Sequence, residues 1–478
     1  MSLKKVATTG FLWTFAQQFG NQAVSFIVSL ILARILLPAE FGLIGMVAIF
    51  IAIGNTLLNS GLTQSLIRSK DLDQEDYSTV FYFNLIMSLI LYVIIYFSAP
   101  LIAKFYDQEI LINILRLYCL TFVISAFGAV QLARLTRSMD FRTQTIIAIP
   151  ASIVGGVTGV YMAYNGYGVW SLVWSSIITI AASTFQLWVY SQWSPALVFN
   201  FSKFKDHFNF GYKLTLSGII DKIFNNLFLI VIGKFFSPSQ VGFYTRAETM
   251  KQLPVTNIST ALNKVTYPLF ATIQDDDVRL KNIYKRLMKM VLFVIAPVLV
   301  FLAVLAEPTF RFLFTEKWLP AVPYFQILCA TGILYPLHAY NLNILKVKGR
   351  SDLFLKLEII KKTLIILAIV IALQFGVMAL LYGQVIVSLA AYFINSHYSG
   401  RFINYPALQQ IKDIFPILLL SIITGGSIWT IDRFFLIDTA DISRILIGGL
   451  TGAFLYIGLS LILKFESIFE LINLYQKR

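Results

Sequence analysis

Charge is what this sequence has least of. Asp, Glu, Lys and Arg make up 13% of its 478 residues, about half the 25% usual in globular domains. That scarcity excludes an ordinary water-facing surface. Cysteine is nearly absent as well: Cys119 and Cys329 both sit inside apolar runs, so neither a disulfide framework nor a metal site can be built from them. The three histidines, His207, His338 and His397, are scattered. There is no nucleotide-binding loop, nucleophile elbow or zinc motif, so nothing in the sequence points to ATP-driven transport, hydrolysis or a bound cofactor. The run Asp275–Asp277 lies alone in a basic connection and makes no metal site. Long polar segments are missing too. The longest connections, near 191–207 and 264–284, leave no room for a soluble catalytic domain.

What is present is apolar. Hydrophobic residues reach 58%, and apolar stretches of bilayer-spanning length recur from end to end. The alternating segments of a membrane β-barrel do not occur. The sequence predicts an all-α integral membrane protein of about fourteen transmembrane helices. They fall near 8–34, 39–63, 79–103, 110–133, 143–164, 168–190, 208–234, 238–263, 285–306, 321–345, 354–374, 376–398, 412–434 and 442–463. The first run follows Lys4 and Lys5 but continues through Gln17, Gln18, Asn21 and Gln22. It reads as a retained helix rather than a cleaved signal.

The net charge of +14 could suggest a nucleic-acid surface, but its distribution argues otherwise. With the N-terminus inside, about 24 Lys and Arg fall in inner connections and tails and about 8 at outer ones, the bias that orients membrane helices. The expectation is a multi-pass membrane protein with both termini on the inner side, membrane lipids as its surroundings and no nucleic-acid partner.

Two stretches two hundred residues apart match in spacing. "RILLPAEFG" from Arg34 and "KFFSPSQVG" from Lys234 share a cation, then Pro38 or Pro238, then Gly42 or Gly242. "NQAVSFI" from Asn21 and "DKIFNNL" from Asp221 keep the same offset, and "CLT" at Cys119 answers "CAT" at Cys329. Such self-similarity predicts a repeated architecture. The expected form is two parallel six-helix bundles, residues 1–200 and 201–405, with an additional two-helix unit in 406–478. A substrate site would lie between the halves, and rocking them would give alternating access. The repeat also predicts a helix that apolarity alone would miss, "VGFYTRAETMKQLPVTNISTAL". Ser237, Pro238 and Gln240 fit its N-cap, N1 and N3 positions as a capping box.

A charge at membrane depth costs about 2.5–3.5 kcal/mol on insertion scales, so it normally faces a cavity or a partner. The candidates cluster in the first two helices of each half. Arg246, Lys251, Lys222, Gln17 and Asn21 are candidate substrate-binding residues, and Asp221 and Glu248 candidate ion-coupling carboxylates. Lys264, Asn55 and Asn59 extend the polar set. Against this stand plainer roles. Glu248 and Lys251, three apart, can pair on one helix face, and neighbours such as Asp221 and Lys222 point about 100° apart. Basic groups exceed acidic ones in the set, which favours an anionic ligand such as a phosphate or diphosphate. Gly155-x-x-x-Gly159 and Gly448-x-x-x-Gly452 fit close helix packing. His338 is a possible protonation site.

Taken together, "KKVATTGFLWTFAQQFGNQAVSFIVSLILARILLPAEFGLIGM", "GLTQSLIRS", "VGFYTRAETMKQLPV" and "LKVKGRSD" resemble the polysaccharide transporters of the multidrug/oligosaccharidyl-lipid/polysaccharide (MOP) exporter superfamily. The likeness is to the Wzx-type flippases of the colanic-acid and teichuronic-acid branch, and it covers essentially the whole chain. It implies a MATE/MurJ-like pair of bundles around a central cavity. It further implies movement of an undecaprenyl-diphosphate-linked oligosaccharide to the outer leaflet, coupled to H+ or Na+. A polysaccharide polymerase and chain-length machinery would be further partners. In the related families cationic cavity residues meet the diphosphate, a place that Arg246 and Lys251 would take here. The competing readings are a drug or cation exporter of the same fold and a membrane-embedded polymerase or glycosyltransferase.

Overall fold

The computed structural model describes residues 3–59, 61–69 and 71–476, with side chains described from residue 13 onward except at 59, 260–265 and 474–476. The side chains of Lys264 and Asn59 therefore lie outside what the structure describes. Helices account for nearly all of the chain, and no strand occurs among the described residues. Two compact units divide at Gly242/Phe243.

The first unit contains α1 (Leu3–Ile35), α2 (Pro38–Asn59), α3 (Leu62–Arg68), α4 (Gln74–Tyr106), α5 (Ile110–Tyr118), α6 (Leu120–Arg137), α7 (Phe141–Tyr164) and α8 (Trp170–Ser191). It also holds α9 (Phe201–Asn225), α10 (Leu227–Phe235) and the first turn of α11 (Pro238–Thr272). α7 packs along both α1 and α8, and α6 bridges α4 and α8. α9 lies against α2, α3 and α4. Gly155 and Gly159 allow the close approach of α7 and α8 that their spacing predicts: a Cβ at Gly155 would come within 2.6 Å of the Ser175 carbonyl oxygen.

The second unit continues with α12 (Asp277–Val304), α13 (Ala306–Phe314), α14 (Val322–Val347), α15 (Ser351–Ala372), α16 (Val377–Phe402), α17 (Ala407–Phe435), α18 (Asp441–Ile462) and α19 (Glu466–Gln476). α12 packs on α14 and α17, and α16 on α14 and α15. The core of this bundle contains neutral polar side chains. Asn341, Gln410 and Ser399 are fully buried. The Asn341 amide donates to the Gln410 carbonyl oxygen at 3.3 Å, and Ser399 donates to the Asn341 carbonyl oxygen. Membrane helices use such hydrogen bonds between neutral side chains as adhesive.

Among the described residues, eleven helices are long and apolar enough to cross a bilayer, or twelve if α9 and α10 form one bent span. The bend is 47°. At the break the Asn226 side-chain amide donates to the Lys222 carbonyl oxygen at 2.8 Å, a local alternative to the helical ladder that Asn often supplies. The expected spans at 238–263 and 354–374 coincide with α11 and α15. Both are helical and of spanning length, but carry too many polar and charged side chains to qualify on apolarity. The chain is a multi-pass membrane protein.

One ion pair within the second unit is buried at both ends. Arg444 Nε and Nη2 donate to Asp432 Oδ1 and Oδ2 at 2.8 and 2.7 Å, joining α17 to α18. Asp441 stands 3.6 Å from the same guanidinium. Breaking a buried pair leaves a desolvated charge and costs about 3–5 kcal/mol. We expect Asp432→Ala to lower unfolding stability towards the smaller end of that range, since Asp441 remains. Thermal or denaturant unfolding of the purified protein checks this, and a loss under about 0.5 kcal/mol, the size of an ordinary surface change, would contradict it.

Candidate functional site

The two matched stretches from Arg34 and Lys234 form a structural joint. In α11 the expected capping box is formed: Gln240 N donates to Ser237 Oγ at 3.4 Å, and Ser237 N donates to Gln240 Oε1 at 3.2 Å. In α2 the equivalent Glu40 accepts from Leu37 N at 2.6 Å. Both helices thus begin with an N3 side chain reaching back to the N-cap. Their first turns then meet. A Cβ on Gly42 would lie 1.7 Å from the Pro238 carbonyl oxygen, and one on Gly242 would lie 2.0 Å from that of Pro38. The contact is reciprocal, backbone against backbone, and only a residue without a side chain allows it.

Further along α9 the candidate polar residues are open. Asp221 and Lys222 are both exposed, one turn before the break at Asn226. On α1, Gln17 and Asn21 are half-buried, and Asn21 Oδ1 accepts a long hydrogen bond from Ser152 Oγ of α7 at 3.4 Å.

Within the second unit, α11 carries the other candidates. Arg246 is only 7% exposed, with its guanidinium 4.8 Å from the Phe314 ring centroid and 5.0 Å from that of Trp318. Both rings are fully buried, so cation–π attraction acts here without competition from water. Lys251, equally buried, pairs with Glu248 at 2.7 Å and reaches Thr331 Oγ1 of α14 at 3.4 Å. Gln252 donates to Glu248 at 2.9 Å. Arg246, Glu248 and Lys251 therefore share one stretch of one helix, with the pairing that their spacing predicts for the latter two.

A further cluster in the first unit was not legible in the sequence. His207 of α9 is buried, with Nδ1 2.7 Å from Ser65 Oγ of α3 and Nε2 3.2 Å from Asp76 Oδ1 of α4. Asp76 also completes a capping box with Asp73, while Lys203 pairs with Asp73, Glu75 and Asp76. The hydrogen bond from Lys203 holds the Asp73 carboxyl well below the usual carboxylate range. A Ser–His–Asp line invites comparison with a hydrolase triad. Here, however, Ser65 sits inside a helix, and the Asp76 carboxylate is also tied to the Asp73 backbone and to Lys203. The cluster fastens α3, α4 and α9 together. No signal short of the fold could have joined residues 142 apart. Among the described residues no three His, Cys, Asp or Glu side chains converge as a metal site.

Comparison with known proteins agrees with this architecture. Residues 31–323, more than half of the chain, match the model of a family described as "Polysaccharide biosynthesis protein". The Bacillus subtilis teichuronic acid biosynthesis protein TuaB is 28% identical over 62% of this chain and 62% of its own length. The chain thus aligns with less than two thirds of that relative. The Escherichia coli lipopolysaccharide biosynthesis protein WzxC is 25% identical over 82% of each chain. Among solved structures, the lipid II flippase MurJ in an inward closed conformation superposes with a TM-score of 0.76 at 16% identity, over 96% of this chain and all of that one. An inward-facing MATE transporter of the MOP superfamily gives 0.61 at 18% identity, over 80% and 94%. The chain belongs to the polysaccharide biosynthesis protein family, on the fold of the MOP superfamily of transporters.

Proposed function

We propose that the protein is a flippase rather than an enzyme, moving a polyprenyl-diphosphate-linked oligosaccharide from the cytoplasmic to the outer leaflet by alternating access. The observation that carries this reading is α11: a helix of spanning length with Arg246 and Lys251 both buried, in a family of polysaccharide biosynthesis and on a transporter fold. The named relatives WzxC and MurJ support a lipid-linked substrate. Fourteen spans, two six-helix bundles (1–200 and 201–405) and an extra pair in 406–478 complete the proposed frame. It sits in the inner membrane with both termini cytoplasmic. Cationic α11 side chains, with Lys222, Gln17 and Asn21, meet the diphosphate, and H+ or Na+ drives the cycle through Asp221 or Glu248.

In this frame the Gly42–Gly242 joint lies at the outer end, where it closes the outer side. The reading of a multidrug or cation exporter has the MATE fold in its favour. Basic side chains outnumber acidic ones among the candidate residues, however, which suits an anionic rather than a cationic substrate. The test is export in cells carrying Arg246→Ala or Lys251→Ala. Each is expected to abolish surface polysaccharide while the protein still inserts, and normal polysaccharide in both would sink the assignment.

A further inference from the structure

A second basic site lies away from the candidate residues above. At the ends of α4, α6 and α8, within the first unit, Tyr77, Arg134, Leu135, Arg137, Ser138 and Ser191 line a cavity of about 420 Å³. Arg134 lies 5.5 Å from the ring centroids of both Tyr77 and Trp193. Arg137 Nη1 donates to the Tyr77 hydroxyl at 2.7 Å. Two guanidinium groups are thus drawn to one aromatic support, and none of the lining residues is acidic. Two polar atoms in this wall, Arg134 Nη1 and Ser191 Oγ, are buried with no hydrogen-bond partner. Buried polar atoms are ordinarily satisfied, and neither of these finds an acceptor or donor among the residues around it.

We infer that this cavity binds the phosphate of an anionic glycerophospholipid. Arginine offers a planar set of donors matched to phosphate oxygens, and basic pockets between the inner ends of membrane helices suit lipid headgroups. The same helices supply the apolar part of the site. Phe127, Leu132, Val189 and Tyr190 are exposed on α6 and α8, within about two turns of the cavity residues, where acyl chains would cover them. Tyr77, Phe81, Trp188 and Trp193 form an aromatic group of the kind found at the membrane–water boundary. A water-soluble anion would have no use for that flank. The assignment to the inner leaflet rests on the orientation proposed above, whereas the site itself does not.

The test uses the full-length protein in detergent, with bound lipid counted by native mass spectrometry after addition of phosphatidylglycerol or phosphatidylcholine. Wild type is expected to prefer phosphatidylglycerol at least tenfold, about 1.4 kcal/mol. Arg134→Gln should erase that preference, and Ser191→Ala, which leaves the aromatic support intact, should reduce it several-fold. Equal binding of the two lipids, or an unchanged preference in both variants, would overturn the site. Displacement of the lipid by millimolar inorganic phosphate would overturn the lipid in favour of a soluble anion. In spheroplasts and inverted vesicles, Ser138→Cys should react with an impermeant thiol reagent from the inner side. Reaction from the outer side only would overturn the leaflet assignment, while loss of preference in Arg134→Gln would still establish the site.

Discussion

Valine in place of Gly42 or Gly242 is expected to reduce export at least tenfold, with the protein still inserted at normal levels. The cause is steric and local. The added Cβ would lie 1.7 Å or 2.0 Å from the opposing proline carbonyl oxygen, and no rotamer relieves a clash with backbone. The first turns of α2 and α11 must then move apart. Each is otherwise intact, because its N-cap hydrogen bonds run along its own chain. The substitution therefore acts on the joint rather than on either helix. A population shift of tenfold needs only about 1.4 kcal/mol, far less than such an overlap would cost. In the orientation proposed above the joint lies at the outer end, and a transporter that cannot close there cannot reload from the inside. Alanine should show the same defect, since it already carries the offending Cβ. Wild-type export by both valine variants would contradict the gate, and a protein lost from the membrane would show that the joint holds the fold instead.

Arg246 and Lys251 should matter as much, and their neighbours allow charge to be separated from packing. Arg246→Ala removes a guanidinium that lies against both Phe314 and Trp318 and is expected to abolish export. Arg246→Lys keeps the charge but replaces the planar guanidinium with a compact ammonium. Partial export in that variant would mean that charge carries the role. For Lys251 the confounding partner is Glu248, at 2.7 Å. Lys251→Ala alone leaves that carboxylate without its cation, so a defect could come from either side. The double variant Glu248→Gln, Lys251→Gln removes both charges and resolves the pair. If Lys251 meets the anionic substrate, the double variant stays inactive. If the pair only braces α11 against Thr331 of α14, export returns.

Much of this architecture could be read from local spacing. The α11 cap was legible because Ser237, Pro238 and Gln240 fall at fixed positions, and the Glu248–Lys251 pair because it is three apart on a helix. The repeat supplied α11 itself, which is too polar to be recognised as a span. What stayed hidden depends on distant chain segments. The aromatic rings around Arg246 come from residues about seventy positions later, and His207 meets Ser65 across 142. The matched glycines were visible as spacing, but the reason for them, each facing the other copy's proline, needs the helices in place. The break at Asn226 was likewise invisible, because no proline or glycine marks it.

The central claim is transbilayer movement of a lipid-linked sugar, and reconstitution tests it most directly. Purified protein would be placed in vesicles with a polyprenyl-diphosphate oligosaccharide bearing a fluorescent sugar, loaded in one leaflet. An impermeant quencher then reports arrival in the other, with H+ and Na+ gradients applied in turn. The account predicts movement above that of protein-free vesicles for wild type, and none for Gly242→Val or Arg246→Ala. Movement no faster than in protein-free vesicles under every gradient would contradict it.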